Sequence, residues 1–389
     1  AMATTHAVIP TKTQYIMLAN RDTASLVRSR SRSLTAVAKA AMESGVATRP
    51  IEDLAAYRHK LDSSVFKSSM LMRPVFEAAR VAPRRIVFAE GEDERVLRAA
   101  QAMVEETKER PILIGRPEVI ERRIEKAGLT IKLGETVDLV NPENDPRYRD
   151  YWETYHNLMA RRGVSPDIAR AIMRTNTTAI GAVMVHREEA DSLICGTFGE
   201  FRWHMNYIEQ VLGRDGRRPH GALSLMILED GPLFIADTQV HLHPTPEQIA
   251  EIAIGAARHV QRFGIEPKIA LCSQSQFGNQ GEGSGKRLRA ALRLLDAGNH
   301  DFCYEGEMNI DAALDPELRS RLLPSNRMEG AANVLVFAHA DAASGVRNIL
   351  KMKGGGLEVG PILMGMGNRA HIVSPSITAI AGTPVAEYG

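Results

Sequence analysis

The sequence predicts an open, doubly wound α/β fold, and three observations carry that prediction. A buried-strand run at residues 85–89 (RIVFA) is followed by an acidic turn, a helix over 94–106 and a second strand at 111–115, the spacing of a right-handed βαβ unit. Strand runs then recur at 191–195, 223–228, 233–237, 268–272 and 334–337. Helix-start signals stand between them. Ser165-Pro166-Asp167 supplies an N-cap and a proline at the first helical position, and Thr245-Pro246-Glu247-Gln248 is a capping box opening a helix to about Phe263.

The 389 residues, 44% hydrophobic and 24% charged, are enough to bury more than one core, which excludes a disordered or collagen-like chain. The net charge of +1 leaves no excess for releasing counterions from a nucleic-acid backbone, so nucleic acid is not an expected partner. Apolar stretches are short and lie among charges, whereas a membrane helix needs about 20 mostly apolar residues, so no membrane partner is expected. Cys195, Cys272 and Cys303 stand far apart without a CxxC pair, which fits a reducing cytoplasm.

Before the first strand the texture differs. Within residues 1–34, Lys12, Arg21, Arg28, Arg30 and Arg32 face only Asp22, so this stretch carries +4 and the remainder −3. It is basic, Ser-rich and acid-poor, like a transit peptide or a basic arm, and is read as an unassigned tail. Residues 35–41 are Ala-rich and helical in pattern, stopped by Gly45 and Pro50, and 52–80 read as amphipathic helices, with Leu54, Tyr57 and Leu61 on one face.

Several motifs invite a functional reading and fall short of it. Gly278 to Lys286 is Gly-rich, but Gln280 and Arg287 stand where a Walker A loop needs a glycine and a Ser or Thr, which leaves a flexible loop. No GxGxxG follows a strand, so no nicotinamide site is expected. His241-Leu242-His243 lacks a third ligand and reads as a polar loop, so no metal is expected. The cysteines read as small core residues rather than nucleophiles. The aromatic, charged stretch Phe198 to His204 follows a strand, where loops face the ligand crevice; an aromatic cluster at a subunit contact is the alternative.

Five strings together resemble the phosphate acetyltransferase family: IVFAEGEDERVL at 86–97, ADSLICG at 190–196, EGEMNIDAA at 305–313, ANVLVF at 332–337 and VGPILMG at 359–365, in matching order over residues 84 to about 378. The resemblance implies two three-layer α/β domains with mostly parallel sheets, the second inserted in the first, as in the isocitrate dehydrogenase-like folds, with coenzyme A in the cleft between them and a dimeric assembly. It divides the chain into an unassigned basic tail (1–34), a segment resembling the end of a malic enzyme domain with a helical linker (35–80), domain I (81–215 plus 361–389) and domain II (216–360). A narrower resemblance is to the C-terminal half of the large bacterial NADP-dependent, oxaloacetate-decarboxylating malic enzymes, carried by AVAKAAMESGVATRPI at 36–51, MRTNTTAIGA at 173–182, CGTFG at 195–199 and HIVSPS at 371–376.

Acetyl transfer between coenzyme A and phosphate needs a base for the thiol, cations for the phosphate and donors for the oxyanion. By this resemblance the phosphate-holding arginines of the active family fall at Met159 and Asn206, the arginine of its Ser-Arg pair at Pro375 beside a retained Ser374, a nearby aspartate at Ala381, and a loop lysine at Phe277. Arg161, Arg162 and Arg202 are the neighbouring cations that could substitute. Losing one such donor typically removes about a hundredfold to a thousandfold of rate.

The resemblance therefore implies a non-catalytic, acetyl-CoA-binding regulatory domain that also mediates oligomerisation, with Ser374 the catalytic residue if the chain is active. An active phosphate acetyltransferase with a rearranged site and a purely structural oligomerisation domain are the alternatives. Expected ligand contacts are Ser273, Ser275, Gly278, Asn279, Asn333, Asn368, Arg369, Ser374 and Arg95, the last set against a salt bridge closing the first βα turn. Expected partners are acetyl-CoA or coenzyme A, further copies of the chain and the malic enzyme domain of the same polypeptide. NADP and a divalent metal would belong only to that other domain, and no cofactor is expected here.

Overall fold

The computed structural model describes residues 71–377 except 76, 108, 214–215, 280 and 282, together with Lys39, Met42, Ile51 and Asp53. The basic tail, most of the 35–80 linker and Ala381 lie outside the described residues. The chain falls into two compact units, Ala1–Arg73 and Pro74–Gly389. In the first, the Ile51 amide donates to Met42 Sδ at 3.1 Å.

The second unit carries two sheets. The first has the order β11-β4-β1-β2-β3, from Ile86–Phe88 (β1), Ile112–Ile114 (β2), Asp138–Val140 (β3), Ser192–Cys195 (β4) and Ala370–Ile372 (β11), all parallel. β1 and β2 are buried throughout, as expected of strands covered on both faces. Helices α1 (Glu94–Thr107) and α2 (Pro117–Ala127) form the early crossovers; α3 (Tyr148–Met159), α4 (Pro166–Thr175) and α5 (Thr177–His186) lead to β4, and α6 (Phe201–Leu212) follows it. Ser165 caps α4 by accepting from the Ile168 amide, as its position predicts.

The second sheet runs β10-β5-β6-β9-β7-β8, from Gly221–Ile227 (β5), Pro232–Ala236 (β6), Lys268–Cys272 (β7), Cys303–Met308 (β8), Val334–Phe337 (β9) and Leu357–Met364 (β10). Its helices are α7 (Pro246–Arg262), α8 (Gly283–Asp296), α9 (Ile310–Leu314), α10 (Pro316–Leu322) and α11 (Ala340–Met352). The capping box at Thr245 and Gln248 is complete. Seven of the nine strand pairings are parallel; β5 is antiparallel to both β6 and β10. The β5–β6 exception has a simple cause: the link between Ile227 and Pro232 is a tight turn, closed by the Leu228 amide donating to the Gly231 carbonyl at 3.0 Å, and a parallel crossover needs a dozen or more residues.

The Gly-rich stretch departs from the flexible loop expected of it. From Gly283 onward it is helical, forming the first turn of α8. Gly285 fits there because a Cβ would stand 2.9 Å from the Ser275 side chain, so this turn seats directly on the loop after β7. After β10 the chain returns to the first sheet, and the Leu363 amide donates to His371 Nδ1 at 3.3 Å, joining β10 to β11.

Candidate functional site

In the first sheet the strand order reverses between β1 and β4, and ligands of open α/β sheets gather beyond the carboxyl ends of strands at such a point. Glu90, just past β1, stands there at 5% exposure. Its oxygens accept from the Gly196 amide at 3.1 and 3.2 Å and from Thr197 at 3.5 Å. Burial pushes this carboxyl up to about 7, the two amides opposing. Gly196 permits the arrangement: with φ +102 it brings β4 so close to β11 that a Cβ would meet the Val373 carbonyl at 2.4 Å.

Arg95, in the first turn of α1, ties the ends of three strands together. Its guanidinium grips the Asp93 carboxylate (Nη2 to Oδ2, 2.7 Å) and donates to the carbonyls of Thr197 (2.8 Å), Pro375 (2.5 Å) and Ile377 (3.3 Å). The salt bridge set beside ligand contact in the sequence reading is thus present, and Arg95 also holds the loop that carries Ser374. Ser374 is 7% exposed, with its hydroxyl 3.0 Å from that of Ser376.

That loop is gripped from the second sheet as well. Lys351, near the end of α11, donates to the Ser376 carbonyl at 2.9 Å, to the Ser376 hydroxyl at 3.1 Å and to Glu358 Oε2 at 2.8 Å. Glu358, in β10, also accepts from Ser224 Oγ at 3.3 Å and lies 3.3 Å from Arg347 Nε. Arg347 is 4% exposed and its Nη1 has no hydrogen-bond partner among the described residues. The contacts that join the Ser374 loop to the second sheet thus comprise two cations, a buried carboxylate and several hydroxyls. A second link crosses nearby, where Arg202 of α6 donates to the Val240 carbonyl at 3.1 Å.

Four expected contacts form one cluster beyond β7. Ser273 Oγ lies 3.1 Å from Ser284 Oγ and accepts from the Ser275 amide. Ser275 donates to Glu307 and to Asn279 Oδ1, and the Gly278 amide donates to Glu307 Oε1 at 3.0 Å. Arg289 of α8 pairs with Glu307 at 2.6 Å, and Glu307 is wholly buried.

Three expected contacts lie elsewhere. Asn333 sits at the amino ends of β7 and β9, where its amide accepts from the Lys268 N–H and donates to the Glu266 carbonyl, both at 2.8 Å. At about 3.3 Å per residue, β7 separates it from Ser273 by roughly 16 Å. Asn368 and Arg369 precede β11 while Ser374 follows it; Arg369 donates to the Val185 carbonyl at 2.7 Å. These two residues line a cavity of about 670 Å³ with Arg84, Arg85 and Arg217 at the amino end of the first sheet.

The positions that the resemblance aligns with catalytic groups of the active family are occupied as follows. Met159 is packed in the first core beside Tyr155, Pro375 offers only its carbonyl to Arg95, and Phe277 packs against the second core at φ +48. Asn206 is exposed on α6 and Arg161 and Arg162 are exposed in a 3₁₀ turn. Cys195 and Cys272 are buried with thiols pushed up by burial, as suits core residues. His243 Nδ1 lies 3.0 Å from His339 Nδ1, and among the described residues no group of three or more His, Cys, Asp or Glu is placed to hold a metal ion. In the aromatic stretch, buried His204 meets Thr178 Oγ1 and the Phe198 carbonyl, both at 2.7 Å, while Phe198 and Trp203 remain exposed.

Sequence reasoning missed Lys351, Arg347, Glu358 and Glu90. A signal existed: Glu358 is the one charge in the apolar run LEVGPILM, and Arg347 and Lys351 share a helix face at i, i+4.

Residues 70–381 match the model of the phosphate acetyl/butaryl transferase family. The chain is 49% identical over 346 residues to an NAD-dependent malic enzyme of Rhizobium meliloti and 47% identical over 342 residues to an NADP-dependent malic enzyme of Salmonella typhimurium, covering 88% and 87% of this chain and 45% of each relative. It therefore spans less than half the length of the curated relatives it matches. A phosphotransacetylase structure from Streptococcus pyogenes superposes with a TM-score of 0.72 at 24% identity, covering 82% of this chain and 97% of that one, which shows the shared fold. On the match across residues 70–381, this chain belongs to the phosphate acetyl/butaryl transferase family.

Proposed function

We propose that this chain is the acetyl-CoA-binding, non-catalytic regulatory portion of a malic enzyme. The observation that carries the reading is the chemistry at two positions that the resemblance aligns with arginines of the active family: a methionine inside the core at 159, and at 375, in the Ser-Arg pair, a proline, which has no side-chain donor and whose carbonyl is already taken by Arg95. The names of the relatives and the share of their length that this chain spans support the link to malic enzymes. Acetyl-CoA would enter the crevice at the Ser374 loop, bias a homodimer or larger assembly, and act on the malate reaction of the same polypeptide as an inhibitor. NADP or NAD and a divalent metal would be held by that other portion. The three unpaired thiols are consistent with a reducing cytoplasm. The effect on malate turnover is bounded by acetyl-CoA's preference for one state over the other, commonly about 1–3 kcal/mol.

Isothermal titration with acetyl-CoA, with coenzyme A as comparator, and an acetyl phosphate assay on the same sample test this reading. Micromolar binding without acetyl phosphate formation is the expected result. Turnover that Ser374→Ala abolishes would overturn it in favour of a working acetyltransferase, and absence of binding at millimolar acetyl-CoA would leave a structural oligomerisation domain.

A further inference from the structure

A cavity of about 450 Å³ opens beyond the carboxyl ends of β1, β2 and β3; it shares Glu90 and Asp93 with the site described above, is not lined by the Ser374 loop, and its arginines have no part in the reading above. That volume lies within the usual range for small-molecule sites, about 300–1,000 Å³. Its wall holds three guanidinium groups in different states. Arg116 is spent on Glu92, gripping both carboxylate oxygens at 2.8 and 2.9 Å. Arg123 and Arg174 are fixed but carry no ion pair among the described residues: Arg123 donates to the Glu92 carbonyl, and Arg174 donates to the carbonyls of Pro142 and Glu143 while lying 3.7 Å over the Tyr148 ring. Each keeps donors of its five for another acceptor. Of the facing carboxylates, Glu92 is neutralised by Arg116 and Asp93 by Arg95, which leaves Glu143 and the buried Glu90, whose carboxyl burial pushes toward its neutral form.

The rest of the cavity is suited to an uncharged, partly aromatic group. Phe198, 57% exposed, stands at the wall with Ile114 and Pro142, and Glu90 is the buried polar group beyond them. The amino ends of α2 and α5, at Arg116 and Thr177, face the same space and add positive potential.

We infer that this cavity binds a nucleoside phosphate, with the phosphate on Arg123 and Arg174, the base against Phe198, and a ribose hydroxyl or base amine at Glu90. The placement agrees with the tendency of doubly wound sheets to take nucleotides where strand order reverses. Two sources share this chemistry: a free nucleotide, and the nucleotide end of coenzyme A. The inference does not depend on the regulatory reading.

The probes are ADP and adenosine 3′,5′-bisphosphate, titrated calorimetrically into the whole chain and into an Arg123→Glu/Arg174→Glu variant whose melting temperature is measured alongside. Binding in the micromolar to submillimolar range, weakened at least tenfold in the double variant, is the expected result. If the double variant does not fold, Phe198→Ala, which removes an exposed ring, takes its place with an expected loss of about threefold to tenfold. Repeating the ADP titration with saturating acetyl-CoA separates the sources: unchanged affinity marks a site for free nucleotide, and full competition marks the coenzyme's own nucleotide end. Failure of both probes to bind at millimolar concentration, or equal affinity in the wild-type and variant proteins, would overturn the inference. Nucleotide binding to a chain that ignores acetyl-CoA would leave this cavity standing and remove the regulatory reading instead.

Discussion

Glu90 and Glu307 occupy comparable places in the two halves of the molecule, and they are handled in opposite ways. Both are buried carboxylates near the carboxyl end of a strand, and both accept from amides of the loop after a neighbouring strand, Gly196 and Thr197 for one, Gly278 for the other. Glu307 also receives the Arg289 guanidinium and the Ser275 hydroxyl. Glu90 has no cation within hydrogen-bonding distance among the described residues, and its carboxyl is pushed up to about 7 by burial. The difference teaches that a buried carboxylate with a guanidinium partner serves as a fixed post for its loop. The same group without one retains a proton that solution conditions can remove.

The largest expected effect comes from taking the post away. Arg289→Leu leaves Glu307 buried and unpaired, and breaking a buried pair from one side typically costs about 3–5 kcal/mol. Urea denaturation at neutral pH measures it. The double variant Arg289→Leu/Glu307→Gln should recover more than half of the loss, because the uncompensated charge is gone. If the double variant is no more stable than Arg289→Leu alone, packing rather than charge holds this loop, and the contrast with Glu90 collapses.

The second effect is smaller and has a direction in pH. The ordinary glutamate value is 4.5 and the folded value about 7, so the folded state binds this proton more tightly than the unfolded chain. Stability is full below 4.5, falls as pH rises to 7, and levels off there, a difference of about 3 kcal/mol. Glu90→Gln removes that slope, so the variant gains on the wild-type protein as pH rises through this window. His259 and His371, lowered by burial to about 3 and about 4, act in the opposite sense, since stability is lost as pH falls below 6.5. Comparing variant with wild type at each pH cancels them. Parallel stability curves for the two proteins would show that Glu90 is ionised throughout.

The alternation of strands and helices was legible because buried parallel strands are short apolar runs and helix starts have local chemistry. The runs at 268–272 and 334–337 coincide with β7 and β9, and the capping box sits where its four residues place it. The antiparallel edge was less legible, because LEVGPILM reads as a buried strand of either direction and only its neighbours in space decide. Gly283 to Lys286 misled for a related reason: glycines signal a loop locally, but here Gly285 is small because a helix turn rests on Ser275. The contacts offered by the resemblance came as one set; that Ser273, Ser275, Gly278 and Asn279 gather after β7 while Arg95 holds the loop of Ser374 is visible only in the structure. The grip of Lys351 on Ser376 was not legible, because it joins residues on different sheets through a lysine that looks like any surface charge near a helix end.

That grip supplies the smallest of the three effects. The 374–377 loop is held from its own half by Arg95 and from the other by Lys351. Lys351→Met keeps the aliphatic stem and removes the charge, leaving Glu358 with Ser224 and Arg347. A global loss of only about 1 kcal/mol is expected, the net worth of a typical hydrogen bond. The local consequence is larger than the global one, because the Ile377 amide is protected by the Ser374 carbonyl inside the loop that Lys351 holds. Hydrogen exchange at Ile377 should therefore accelerate about tenfold in Lys351→Met, while exchange at the Gly278 amide, fixed on Glu307 in the other cluster, stays unchanged. Equal acceleration at both positions would mean that the variant loosens the whole unit. No change at Ile377 would mean that Arg95 alone holds the loop, and the crossing between sheets would lose its claim to transmit anything.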